Sequence, residues 1–214
     1  RVAQSIDVTL DDDVRLIGEV EHVYRSNGRL LLFDAKPSGT ADFRALMTLY
    51  LDYAALRLSL GDGAEIDFVE YDGNAACPAR RPALLKVIAT QTPAQLRSGL
   101  RSLIDAFREG LAQPLLFFPK TAWAWAKTTQ DKRDTAAHGA WYGNESHTGE
   151  RDYAPGYAAL LTRDLDFLAA QSKAHEYFVE VTQRVAEALD PGHSVLLMQA
   201  PDPSANVKSS MARK

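Results

Sequence analysis

GEVEHVYRSNGRLLLFDAK, residues 18–36, decides how the fold of this chain is read. At its centre, Asn27-Gly28 is the strongest short hairpin signal, because a type I′ turn needs positive φ at both central positions. A two-residue loop there sets Ser26 opposite Arg29, and the register that follows sets Glu21 opposite Asp34 and Glu19 opposite Lys36. Period-two alternation then groups these four residues on one face, with Val20, His22, Phe33 and Ala35 on the other. Carboxylates directly opposite one another should have Cβ atoms roughly 4.5–5.5 Å apart, which is destabilising for like charges. A divalent cation between Glu21 and Asp34 would remove that penalty. Mg²⁺ takes one or two carboxylates plus water and phosphate oxygens. Lys36 would then orient or help deprotonate a metal-bound water, as a metal-dependent phosphodiesterase requires. The plain alternative is a solvated sheet face with a Glu19–Lys36 ion pair.

Working outward, Ile6–Leu10 alternates as a strand, Asp11-Asp12-Asp13 makes a turn, and Val14–Tyr24 and Leu30–Lys36 complete a β-meander. Pro37-Ser38-Gly39 stops the third strand. Thr40 is placed to cap a helix running to about Leu60, whose stripe of Phe43, Leu46, Met47, Tyr50, Leu51, Tyr53, Ala54 and Leu56 is wide enough to be largely buried. Gly61-Asp62-Gly63 ends it. Strands are expected at Ile66–Tyr71 and Ala83–Ala89, joined by a long hairpin loop, Asp72–Pro82, with Arg80 and Arg81 near its tip. Thr92-Pro93-Ala94-Gln95 combines capping-box spacing with Pro at the first helical position and predicts a helix to about Gly110. The second half reads as helical at Thr121–Lys127, Gly156–Gln171 and Lys173–Leu189. Gly139–Pro155 reads as a long loop, and the polar stretch from Pro201 as a frayed tail. Strands followed by helices around one sheet give α/β or α+β.

The chain has 214 residues, 46% of them hydrophobic and 24% charged, the balance of an ordinary globular protein with a core. Its formal net charge of −4 sets it apart from domains that grip nucleic acid unaided, so any DNA contact is local or shared with partner chains. A single cysteine, Cys77, excludes an internal disulfide framework and a multi-thiolate zinc site. No apolar run reaches membrane-spanning length, no signal-peptide pattern is present, and the start at Arg1 reads as a cut from a longer protein. GxxxxGK[ST] is missing, so ATP hydrolysis would fall to other chains or domains. The five histidines match no metal spacing. His22 is expected on the core face.

Two basic groups are candidate DNA contacts. Arg80 and Arg81 could hold phosphates in bidentate fashion from their loop. Lys120, Lys127, Lys132 and Arg133 surround Phe117, Phe118, Trp123 and Trp125. Cations interleaved with aromatics suit a single-stranded channel, although the same aromatics suit a core or a subunit interface.

The stretch at residues 18–36 resembles the PD-(D/E)XK nuclease core, an acid on one strand, a hairpin, then acid-x-Lys on the next. The resemblance places Glu21, Asp34 and Lys36 at the catalytic positions and Glu21 and Asp34 at the metal, in a layout similar to the nuclease domain of the RecB subunit. KPSGTADFRALMTLYLDYAAL, FREGLAQPLLFFPKTAWAWAK and AWYGNESHTGERDYAPGYAALL are instead similar to the C-terminal domain of the RecC (gamma) subunit of exodeoxyribonuclease V, and together they span nearly the whole chain. That resemblance implies a PD-(D/E)XK nuclease-like α/β fold, a central mixed sheet with flanking helices and a helical C-terminal extension. The domain would cover residues 1–200, with a sheet-rich core at 1–112, a helical part at 113–200 and a tail at 201–214. It further implies a catalytically silent, DNA-handling domain of the cytoplasmic, ATP-dependent RecBCD helicase–nuclease in recombinational repair. RecB and RecD, duplex and single-stranded DNA would be its partners, and ATP would be used by the partner subunits. No cofactor beyond possible Mg²⁺ at the acids is expected. Two departures from active RecB-type relatives support silence: the helix after Lys36 offers Met47 and Thr48 but no Gln, and no His precedes Glu21. The rival readings are an active metal-dependent DNase using Glu21, Asp34 and Lys36, and a protein–protein module without DNA contact.

Overall fold

The computed structural model describes residues 1–11, 13–34, 42–61, 63–70, 80–153, 156, 168–169 and 172–198. Its four-stranded mixed sheet contains β1 (Val2–Asp11), β2 (Val14–Ser26), β3 (Arg29–Asp34) and β4 (Ile66–Glu70), in that spatial order. The first three strands form the expected antiparallel meander. Asn27 and Gly28 have φ of 49° and 83°, the conformation the turn chemistry demands. β2 and β3 pair in the expected register from Ser26↔Arg29 to Val23↔Leu32. β4 joins β3 in parallel, from Leu30↔Ile66 to Asp34↔Glu70. A parallel neighbour requires a crossover, which α1 (Phe43–Leu60) supplies.

Helix α1 starts at Asp42, whose side chain accepts the Ala45 N–H at 3.0 Å, and not at Thr40, which lies outside the described residues. It ends at Gly61, with φ 79°. Phe43, Leu46, Leu49, Tyr50, Tyr53, Ala54 and Leu56 are all buried, because α1 packs on β1 and β2 and also against two later helices. Those helices are α3 (Pro93–Ala112), opened by the expected Thr92–Gln95 capping box, and α4 (Pro119–Ala126).

Between β4 and α3 the structure departs from expectation. Residues 83–89, expected as a strand, lie in helix α2 (Arg80–Thr90). Leu84, Leu85 and Ile88 are buried at helical spacing, while Val87 and Ile88 supplied the β-like signal. Consequently Arg80 and Arg81 open a helix and do not sit at the tip of a hairpin loop; residues 71–79 are outside the described set. The long loop expected at 139–155 is also largely ordered structure. It holds the end of α5 (Arg133–Tyr142), the two-residue strands β5 (Gly143–Asn144) and β6 (His147–Thr148), and the short helix α6 (Glu150–Tyr153). The last helix, α7 (Lys173–Leu189), has the expected bounds and packs on α3 and α4. The helix expected at Gly156–Gln171 and the tail from Pro201 lie outside the described residues, apart from Gly156, Leu168 and Ala169.

Three helices meet around a buried polar knot. Tyr50 Oη on α1 donates to Gln91 Oε1 at 3.5 Å, and Gln91 Nε2 donates to the carbonyls of Ala188 (3.3 Å) and Leu189 (3.0 Å) on α7. Gly99 of α3 fits against the same point. A Cβ there would lie 2.1 Å from Tyr50 Oη and 3.1 Å from the Ala188 carbonyl. Beyond α7, fully buried Asp190 accepts the N–H groups of Ser194, Val195 and Leu196 and the Ser194 hydroxyl at 2.7–3.1 Å, folding the chain back. Leu197 N–H then reaches the Ala126 carbonyl at the end of α4 at 2.9 Å. The β1–β2 end of the sheet is tied to α3 through Arg101, which meets Asp11 (2.7 Å) and Asp13 (2.8 Å).

Candidate functional site

The acid-bearing end of the β2–β3 hairpin is shaped by a β-bulge. In β1–β2, Val2 pairs with Val23 but Gln4 pairs with Val20, so β2 carries one extra residue between Val20 and Val23. The buried face of β2 follows even positions up to Val20 and then switches to Val23. Glu21 and His22 fall in the switch, and both are exposed. His22 is therefore not the core histidine that alternation predicts. An extra residue breaks the alternation without leaving any mark in residue type.

Glu21 carboxylate meets Arg1 at 3.2 Å, and its carbonyl accepts from Arg1 Nε at 2.9 Å. The β2–β3 pairing runs no further than Val23↔Leu32, while the Asp34 backbone is engaged on its other side by β4 at Glu70. Lys36 lies outside the described residues. Glu19 is exposed on β2 beside Ser5 of β1. Among the described residues no group of three or more His, Cys, Asp and Glu side chains is arranged to hold a metal ion.

Sequence reasoning missed Asp52 on α1. It is half-buried, burial pushes its carboxyl up, and the charge of His22 opposes that shift. A polar residue inside an otherwise apolar helical stripe was the available signal. At the opposite, turn end of the hairpin, Arg25, Asn27, Leu30, Leu60 and Glu65 border an open cleft of about 470 Å³. Arg29 there pairs with Glu65 (2.9 Å) and Asp67 (3.0 Å).

The aromatic and basic segment is mainly core. Phe118, Trp123 and Trp125 are 1%, 4% and 5% exposed, which removes them as a stacking platform for bases. They are enclosed because α4 is covered by α1, α5 and α7 together. Trp123 meets Phe43 edge-on at 5.4 Å, and Trp125 Nε1 donates to Asp134 at 3.0 Å. Arg133 stacks over the Trp125 ring at 4.7 Å and donates to the carbonyls of Thr128 and Met198. Burial lowers its pKa, and its contacts are those of a structural cation. Lys127 and Lys132 are exposed, at the end of α4 and in the 3-10 turn before α5.

A further carboxylate has a role that spacing did not reveal. Glu150 is 8% exposed and accepts the backbone N–H groups of Lys120 (3.0 Å) and Thr121 (2.7 Å). Phe118, at the N-cap of α4, offers no side-chain cap. Glu150 supplies it from thirty residues away, binding the β5–β6 hairpin to α4 where the helix dipole favours negative charge. No helix among the described residues is long and apolar enough to cross a membrane.

No curated protein and no solved structure matches this sequence significantly. A family model described as the RecC C-terminal domain matches residues 1–130, which takes in the sheet, α1 through α4 and the hairpin with its two acids. The chain thus belongs to the RecC C-terminal domain family.

Proposed function

We propose that this chain is a DNA-handling and subunit-binding domain of a RecBCD-type ATP-dependent helicase–nuclease, built on a PD-(D/E)XK nuclease-like core and catalytically silent. The observation that carries the reading is the family match over residues 1–130. A β-meander followed by a crossover helix and a parallel fourth strand supports the nuclease-like core. The end of the β2–β3 pairing at Val23↔Leu32, short of Glu21 and Asp34, supports silence, and the β1–β2 bulge at Glu21–His22 lies beside it. With no established metal site, Glu21 and Asp34 remain the candidate ligands for Mg²⁺, and Lys36 the candidate cation beside them. Arg80, Arg81, Lys127 and Lys132 are the candidate phosphate contacts, with ATP turnover left to the RecB and RecD partners.

The domain would act by position. It would hold a duplex end or a separated strand through a few local cations while its acidic remainder keeps contact weak. Fluorescence anisotropy of labelled linear duplex, titrated at increasing salt, tests the DNA-handling part. Weak binding whose logarithm falls linearly with the logarithm of salt supports it, since phosphate contacts release counterions. No binding at low salt, together with capture of the RecB or RecD chain, would instead favour a protein–protein module.

A further inference from the structure

We propose that the surface formed by α6 and the adjoining ends of α4 and α5 binds single-stranded nucleic acid, with a base stacked on Tyr153 and phosphates held by Lys120 and Arg151. This rests on the DNA-handling reading above and assigns it a place and a substrate class. Tyr153 is 70% exposed, far more than the core aromatics of α4, and Lys120 Nζ lies 5.7 Å from its ring centroid. Two residues earlier, the Arg151 guanidinium stacks over the Tyr142 ring at 4.8 Å, and the His138 ring lies 4.4 Å from the same tyrosine. Tyr153 with Lys120, and Arg151 with half-buried Tyr142 and exposed His138, thus form two aromatic–cation groups joined through α6.

The piece is held in shape from beneath. Glu150 fixes the start of α6 to the N–H groups of α4, and Lys120 Nζ donates to the Thr148 carbonyl at 3.0 Å. Gly143, with φ 72°, and Gly149 approach so closely that a Cβ on either would meet backbone at 2.4 Å or less. That tight crossing leaves the hairpin little freedom.

Charge and chemistry favour nucleic acid over an apolar protein partner. Five lysines and arginines balance five carboxylates between Pro119 and Tyr153, a neutral segment in a chain of net charge −4. Glu150 is turned inward, Asp152 is engaged by the Gly149 N–H and by Arg151, and Asp134 by Trp125 and His175, leaving Glu145 at the hairpin tip and Asp131 in the 3-10 turn as the opposing charges. An exposed tyrosine flanked by a lysine and an arginine matches base stacking plus phosphate contact. An exposed ring stacks on a base only where the duplex is open, which selects single strands.

The test is anisotropy of labelled oligothymidylate and of blunt duplex of equal length, with wild-type chain and the variants Tyr153→Ala, Tyr153→Phe and Lys120→Gln. Circular dichroism verifies that each is folded. Tyr153→Ala should weaken oligothymidylate binding roughly 5- to 150-fold, with little effect on duplex, while Tyr153→Phe retains it. Lys120→Gln should reduce the salt slope by about 0.7. Salt-dependent binding that is unchanged by Tyr153→Ala would overturn this site and leave the DNA-handling reading standing. Absence of binding to either DNA would overturn both.

Discussion

Replacing Gly99 by Ala tests the polar knot at the centre of the three-helix packing. The new Cβ would sit 2.1 Å from Tyr50 Oη, more than an ångström inside the roughly 3.3 Å at which carbon and oxygen normally touch. Tyr50 cannot swing aside readily, since it is fully buried and its hydroxyl reaches Gln91. Overpacking of this kind costs about 1–3 kcal/mol, and this contact belongs at the upper end. Alanine recovers about 1 kcal/mol of helix propensity, so the net loss should be about 1–2 kcal/mol. Tyr50→Phe alone gives up a hydrogen bond of 3.5 Å, at the outer limit of useful geometry, and should cost under about 1 kcal/mol. In the double variant the clashing oxygen is gone, leaving contacts of 3.1 Å to the ring carbon and to the Ala188 carbonyl. Its stability should therefore exceed the additive expectation by about 1–3 kcal/mol. Urea unfolding at pH 7, followed by fluorescence of the buried Trp123, Trp125 and Trp141, gives all four corners of the cycle. Wild-type stability in Gly99→Ala, or simple additivity in the double variant, would refute the packing argument.

Two further predictions concern carboxylates. Glu150→Gln puts an amide where two backbone N–H groups converge, and should cost about 1.5–3 kcal/mol, a fall in melting temperature of roughly 3–12 °C; exposed Glu145→Gln should leave it within about 2 °C. Asp52 carries a carboxyl pushed up by burial, so the folded chain holds that proton more tightly than the unfolded chain does. Its contribution to stability is full below the ordinary value of 3.8 and is lost as pH rises through the folded value. Asp52→Asn should accordingly raise the melting temperature at pH 7, and the gain should vanish below about pH 3.8 in a pH series of thermal melts. A constant offset at every pH would contradict that cause.

How much of this was legible depended on whether the deciding interactions were local. Asn27-Gly28 fixes its own turn, and the turn fixes the register of β2 and β3, so the hairpin could be read from two residues. The Thr92–Gln95 cap and the full extent of α7 were legible for the same reason. The bulge between Val20 and Val23 was not, because its position is set by pairing with β1 and not by Glu21 or His22 themselves. Helix α2 was read as a strand because a short apolar run with Val87 and Ile88 has no period long enough to arbitrate. Glu150 capping α4, and Trp123 and Trp125 closing a core, depend on contacts between distant segments. Within the candidate acid site, the residue types were legible, but the exposure of Glu21 and His22 beside the β1–β2 bulge was not.

The proposed domain handles DNA without cutting it. The most direct measurement is titration calorimetry with Mn²⁺ on the wild-type chain and Asp34→Ala, run alongside a time course of end-labelled linear duplex in Mg²⁺ or Mn²⁺. The account predicts that the duplex stays intact with both proteins and that Asp34→Ala changes nothing in its fate. One Mn²⁺ bound by the wild type and lost in Asp34→Ala, together with shortening or nicking of the duplex that disappears in the same variant, would contradict it. Glu21, Asp34 and Lys36 would then be a working nuclease site.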